Sequence, residues 1–148
     1  MDNMTPFAER LSELMLDRDL SNLQLEHNSG CPNTTISAWL TKNVYPKKDN
    51  LIKLSNFFEC SIDYLLGLTD IKTYYVSQSP SNFKERFILL AKQKNVTYYR
   101  VHKDCDIPNN YISRWLNKGL IPDIRTVIKL TAYFNCSTDY ILGHSDRI

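Results

Sequence analysis

The sequence predicts an all-α protein of two tandem five-helix domains joined by a short linker. Three observations carry this expectation. The chain has only 4 Gly and 6 Pro in 148 residues, too few breakers for a loop-rich or all-β fold. Its apolar residues recur at helical spacing, as in Phe7, Leu11, Leu14 and Met15. The chain also repeats itself, without a gap, at an offset of 76 residues.

The repeat is dense. Ile36-Ser37-Ala38-Trp39-Leu40-Thr41-Lys42 aligns with Ile112-Ser113-Arg114-Trp115-Leu116-Asn117-Lys118, and Phe58 to Gly67 aligns with Phe134 to Gly143. Residues 7–70 against 83–146 share 23 identities in 64 positions. Each copy, ~65 residues, is near the lower size limit for independent folding. A solenoid usually needs three or more stacked repeats, so two domains are the better reading. The boundaries are residues 1–70, a linker over 71–81 with the polar core Ser77-Gln78-Ser79-Pro80-Ser81, and residues 82–148.

Each copy reads as five helices. Thr5 caps the first, with Pro6 at its first position. Ser21 followed by Gln24 is a capping-box start for the second, and Gly30 ends it. Pro32 opens the third, which carries Ile36, Trp39 and Leu40. The fourth follows Pro46. Ser61 caps the fifth, Asp63 suits its first turn, and Gly67 stops it. Asn82, Thr97, Pro108, Asp123 and Ser137 stand at the corresponding starts in the second copy.

Composition narrows the function classes. A hydrophobic fraction of 43% and a mean hydropathy of −0.37 describe a soluble globular chain. No apolar run approaches the ~18 to 20 residues of a membrane span. The polar start from Met1 to Pro6, with Asp2, is no signal peptide, so a cytoplasmic location is the default. The four cysteines form no Cys-x-x-Cys pair. Cys31, Cys60, Cys105 and Cys136 read as four buried thiols, and with His27, His102 and His144 they lack metal-site spacing. No carboxylate pair, nucleophile triad or Gly-rich phosphate loop appears, so no enzyme, cofactor or metal is expected. Tyr74-Tyr75 and Tyr98-Tyr99 could stack on single-stranded bases, but half-buried packing with a wet hydroxyl is the favoured reading. Trp39 and Trp115 read as core.

Three motifs, each present twice, resemble the lambda-repressor-like, Cro/XRE-type helix-turn-helix family. They are the closing segments Phe58 to Gly67 and Phe134 to Gly143, the Ile-Ser-x-Trp centre of helix three, and the Pro after a Lys-containing loop (Lys42 to Pro46, Lys118 to Pro122). The resemblance covers nearly the whole chain. It departs from the family at Glu26 and His102, where helix two usually carries a small residue. It departs again at Asp106, where the turn usually has Gly.

The resemblance implies double-stranded DNA as the partner, with the third helix of each copy in the major groove. Base contacts then fall to Asn33, Thr34, Thr35, Ser37 and Ala38 in the first copy, and to Asn109, Asn110, Tyr111, Ser113 and Arg114 in the second. Asn can pair with adenine and Arg with guanine through two hydrogen bonds, so Arg114, Asn109 and Asn110 lead. Phosphate contacts fall to Asn22, Lys42, Lys47 and Lys48, and to Tyr98, Arg100, Lys118 and Arg125.

The halves differ in charge. Residues 1–70 hold 6 Lys/Arg against 10 Asp/Glu, and residues 71–148 hold 12 against 6, giving −4 and +6. DNA affinity follows phosphate neutralisation, so the second copy is expected to bind more strongly. Family dimers bind half-sites ~34–36 Å apart. Two units in one chain, tethered by a stretch reaching at most ~40 Å, suit a covalent pseudo-dimer. A homodimer with four recognition helices is the rival. The function expected is a sequence-specific transcriptional regulator, a repressor acting by promoter occlusion, in a bacterial, phage or mobile-element setting. The alternative is a protein-interaction module in which the acidic first domain holds a protein partner.

Overall fold

The computed structural model of the protein describes residues 4–78 and 81–148. Asp2 and the linker residues Ser79 and Pro80 lie outside the described residues. The chain divides into two compact units, Met1–Tyr74 and Tyr75–Ile148. Regular structure among the described residues is helical. The first unit holds α1 (Pro6–Asp17), α2 (Asn22–Ser29), α3 (Asn33–Thr41), α4 (Lys48–Phe58) and α5 (Ile62–Leu65). The second holds α6 (Phe83–Lys94), α7 (Tyr98–Cys105), α8 (Asn109–Lys118), α9 (Ile124–Phe134) and α10 (Thr138–Ile141).

Local chemistry sets these boundaries. The Thr5 hydroxyl accepts from the Ala8 N–H at 2.9 Å. Ser21 Oγ accepts from the Gln24 N–H at 3.2 Å while Gln24 Oε1 accepts from the Ser21 N–H at 2.8 Å, which completes the capping box. Asn82, Thr97, Asp123, Ser61 and Ser137 cap their helices in the same way. Pro32 and Pro108 stand before α3 and α8 and offer no side-chain cap.

In the first unit α1 packs on α3 and α5, and α2 packs on α3 and α4. Phe7, Leu11, Leu25, Ile36, Trp39, Leu51, Phe58 and Leu65 are sealed from solvent. Each such side chain contributes ~1.5–3 kcal/mol. Phe7 meets Trp39 edge-on, ring centres 5.8 Å apart, and Phe83 repeats the contact with Trp115 at 5.4 Å. The second core is more aromatic because Phe87 replaces Leu11. Phe87 touches Trp115 at 5.4 Å, Phe134 at 6.0 Å and the Tyr98 ring at 5.7 Å.

An arginine closes each unit. Arg10 Nη1 donates to the carbonyls of Tyr64 at 2.7 Å and Thr69 at 3.3 Å, and its Nη2 meets Asp70 at 3.0 Å. Arg86 does the same with Tyr140 at 2.7 Å, Ser145 at 2.9 Å and Asp146 at 3.2 Å. The stretch read as a linker is shared out between the units. Tyr74 donates to Asn56 Oδ1 at 2.7 Å in the first. In the second, Ser77 is 8% exposed, its N–H donates to the His144 carbonyl at 2.9 Å, and its hydroxyl donates to Asp146 at 2.7 Å. Gly143 sits so close to this segment that an added Cβ would lie 2.0 Å from the Ser81 carbonyl oxygen.

Three of the four cysteines are buried, but Cys136 is only part-buried, which corrects the expectation of four sealed thiols. Tyr74 lies near Cys60 in the first unit.

Candidate nucleic-acid interface

Each unit presents a pair of helices joined by a tight turn, α2–α3 and α7–α8. In the first, Gly30 takes the turn at φ 86°. Ser29 Oγ donates to the Leu25 carbonyl at 2.6 Å and accepts from the Cys31 N–H at 3.2 Å. In the second, Asp106 adopts the left-handed conformation at φ 54°, which a short polar side chain tolerates. His102, where the family has a small residue, pairs its Nδ1 with the Ile107 carbonyl at 2.5 Å. The unusual side chain thus bonds across the turn. Cys31 and Ile107 fill the same buried slot after the turn.

Period 3.6 sorts the third helices into two faces. Ile36 and Trp39 point into the first core, and Ile112 and Trp115 into the second. On the outer face of α8, Asn109, Asn110, Tyr111, Ser113 and Arg114 are all exposed. The Arg114 guanidinium lies 5.8 Å from the Tyr111 ring centre, within cation–π range. The outer face of α3 is less open. Thr34 and Ser37 are exposed, whereas Asn33, Thr35 and Ala38 are half-buried. Arg114 puts a guanidinium on the second face where Ala38 puts a methyl on the first.

The flanks differ likewise. In the second unit Tyr98, Arg100, Lys118 and Arg125 are exposed. One face of the Tyr98 ring is covered, because it stacks on Phe87. In the first unit Lys42 and Lys47 are exposed, and Asn22 and Lys48 are half-buried. The corner where α1 passes into α2 carries Asp17 and Asp19 beside Leu16, 80% exposed, and Leu23, 64% exposed. Of the tyrosines weighed as base-stacking groups, Tyr74 is half-buried, Tyr75 lies under the Arg147 guanidinium at 3.5 Å, and Tyr99 is open to solvent.

A helix-turn-helix family model matches residues 11–65 and 89–141, one segment in each unit. The chain belongs to the Cro/XRE-type helix-turn-helix family. Members of this helix-turn-helix family are DNA-binding transcriptional regulators. The HTH-type transcriptional activator BcrR of Enterococcus faecalis is 32% identical over 79 residues, 53% of this chain and 39% of that protein. The HTH-type transcriptional regulator YobD of Bacillus subtilis (strain 168) is 30% identical over 64 residues, 43% of this chain and 57% of that protein. The chain thus spans well under two thirds of either relative. A transcriptional regulator from Listeria innocua, known by its crystal structure, aligns over 75% of this chain and 96% of its own, at 23% identity and a TM-score of 0.38. No helix among the described residues of this helix-turn-helix chain is long and apolar enough to cross a membrane.

Two residues of the second unit escaped the sequence reading. Asp104 pairs with Arg100 across one turn of α7, with Nε 3.3 Å from Oδ1. The Tyr133 hydroxyl of α9 donates to Asp104 Oδ2 at 2.7 Å. The i,i+4 spacing of Arg100 and Asp104 was a readable signal. The contact from Tyr133, 29 residues away, was not. Desolvation, then the Asp104 hydrogen bond and charge, push the Tyr133 hydroxyl up to about 12. Burial also pushes the Cys31 and Cys105 thiols up, which disfavours the reactive thiolate.

Proposed function

We propose that the protein is a sequence-specific, double-stranded DNA-binding repressor that lays α8, and with it α3, into the major groove. One observation carries this reading. The five residues of α8 predicted to meet bases are all exposed on one face, backed by buried Ile112 and Trp115 and flanked by exposed Arg100, Lys118 and Arg125. Arg114 would pair with a guanine, Asn109 or Asn110 with an adenine. Asn33, Thr34, Thr35, Ser37 and Ala38 would read the other half more weakly, and Ala38 can only touch a thymine methyl. Asn22, Lys42, Lys47, Lys48 and Tyr98 would join the other flanking groups on phosphates. Occupying a promoter is enough to block it, so repression needs no surface beyond these two faces.

The two units act as a covalent pseudo-dimer on one asymmetric site, the tether holding the second unit at about millimolar effective concentration. The decisive experiment selects bound sequences from a random duplex DNA library with the full chain. A motif with two unlike halves is the expected result. A single short half-site would assign reading to one unit, and no enrichment at low salt would overturn the DNA reading. A promoter–reporter assay tests the sign, and a rise in output on binding would make the protein an activator.

A second reading has its own observation. The corner of Leu16, Asp17, Asp19 and Leu23, with Arg18 between the two aspartates, offers exposed apolar and acidic groups that suit a basic, apolar protein surface. On that reading the first unit docks a protein while the second holds DNA.

A further inference from the structure

The side chains on the rim of the α7–α8 pair are not all alike in freedom. Arg100 is the third residue of α7, and its N–H is fixed by Thr97 Oγ1 at 3.1 Å. Its Nε is held 3.3 Å from Asp104 Oδ1. The second oxygen of that carboxylate accepts from the Tyr133 hydroxyl at 2.7 Å. Tyr133 is itself wedged edge-on against Phe134, ring centres 5.1 Å apart, under Lys94 Nζ at 4.8 Å. A chain of contacts thus runs from α9 through α7 to one guanidinium. Among the described residues Nη1 and Nη2 of Arg100 have no hydrogen-bond partner, and these two nitrogens form the end-on fork that grips a phosphate.

The first unit serves as an internal control. Position for position, Gln24, Asn28 and Phe57 replace Arg100, Asp104 and Tyr133. Gln24 turns back onto the Ser21 N–H at 2.8 Å, and Phe57 has no hydroxyl to give. The chain of contacts therefore exists only in the unit with the positive balance.

We propose that Asp104 and Tyr133 are positioning residues that hold the Arg100 guanidinium ready for a backbone phosphate of duplex DNA. The proposal rests on the DNA-binding reading above and deepens it. A loose arginine must surrender its rotamer freedom on binding, whereas one with Nε already tied has surrendered it on folding. The carboxylate nearest the phosphate would then act against its own charge. It repels the phosphate directly yet aims the group that binds it.

That opposition gives a test by sign. The full chain and the variants Tyr133→Phe, Asp104→Asn and Arg100→Gln are titrated with a random-sequence DNA duplex across a salt series, by fluorescence anisotropy. Each substitution installs the residue that the first unit already carries there, so the fold accommodates all three, and thermal melts check this. Arg100→Gln weakens binding and lowers the salt slope by about one. Tyr133→Phe weakens it about three- to tenfold with the slope unchanged. Asp104→Asn weakens it too, although it removes a negative charge. In the Arg100→Gln background Tyr133→Phe does nothing further, and Asp104→Asn no longer weakens binding, because only its direct repulsion of the phosphate is left to lose.

Tighter binding by Asp104→Asn, or wild-type binding by Tyr133→Phe, would overturn the positioning role and leave DNA binding standing. Absence of wild-type binding at low salt would overturn both.

Discussion

Arg86 lies over the Tyr140 ring at 4.1 Å while its Nη1 donates to the Tyr140 carbonyl at 2.7 Å. One side chain thus grips the face and the backbone of the same residue, 54 positions along the chain. Arg10 and Tyr64 repeat both contacts, at 3.9 and 2.7 Å. The short α5 and α10 helices have only four residues each, too few to hold themselves, and these arginines tie them to α1 and α6.

Arg86→Ala should therefore destabilise the second unit by about 2–4 kcal/mol, because the buried Ser145 carbonyl loses its donor, the Tyr140 carbonyl keeps only the Gly143 N–H, and the contact with the Tyr140 ring is lost. Arg86→Lys should recover little, since an ammonium cannot reproduce the planar fork. Urea unfolding of the full chain measures both. A loss below about 1 kcal/mol would show the contacts to be incidental.

Gly143 and Gly119 both have positive φ, 81° and 66°, but their surroundings differ. A Cβ at Gly143 would meet the Ser81 backbone at 2.0 Å, whereas one at Gly119 meets nothing within 4 Å. Gly119→Ala should cost only backbone strain, about 1 kcal/mol. Gly143→Ala should cost several times more, because backbone must move. Equal shifts in melting temperature would contradict this.

Arg114→Ala should relax base preference at one position at a cost of about 1–3 kcal/mol. Lys118→Ala should weaken all sequences alike and reduce the salt slope by about one. The selected duplex, titrated across a salt series, distinguishes the two. Unchanged binding by both variants would mean that α8 does not face the groove.

Tyr133 has its hydroxyl pushed from the ordinary 10 up to about 12 in the folded chain. A group whose folded value lies above its unfolded value stabilises fully below the unfolded value, and that contribution disappears as pH rises through the folded one. The stability gap between wild type and Tyr133→Phe should thus be constant at neutral pH and shrink between pH 10 and about 12. Urea midpoints of the two proteins across that range measure it. A gap that widens there would contradict the assigned shift.

Much of the fold was legible because most helix starts are written in local chemistry. Thr5, Ser21, Ser61, Thr97 and Ser137 each bond a backbone N–H three residues on, a contact set by spacing alone. The outward face of α8 was legible for a similar reason, since Ile112 and Trp115 mark its inner side. What escaped depends on pairs far apart in sequence. Ser77 reads as linker because serine favours water, yet its N–H meets the His144 carbonyl 67 residues later. Tyr98 reads as a half-buried ring, but nothing local says that Phe87, a leucine in the other copy, is what lies against it. Periodicity shows which side of a helix is buried, not which distant residue lies against it.

Arg10 draws Asp70 back to α1, and Gly67 lies against Pro6, just as Gly143 lies against Ser81. The chain therefore enters and leaves each unit at one corner, like thread through a bead with a single eye. Beads of that kind can be strung end to end without recutting either one. A gene duplication would yield two working pieces at once, with no junction to reinvent. The outer surface of one bead is then free to drift, and the two now carry opposed charges, −3 over residues 1–74 and +5 over 75–148. By the same token, a third copy spliced after Ile148 behind a second tether should fold without disturbing its neighbours.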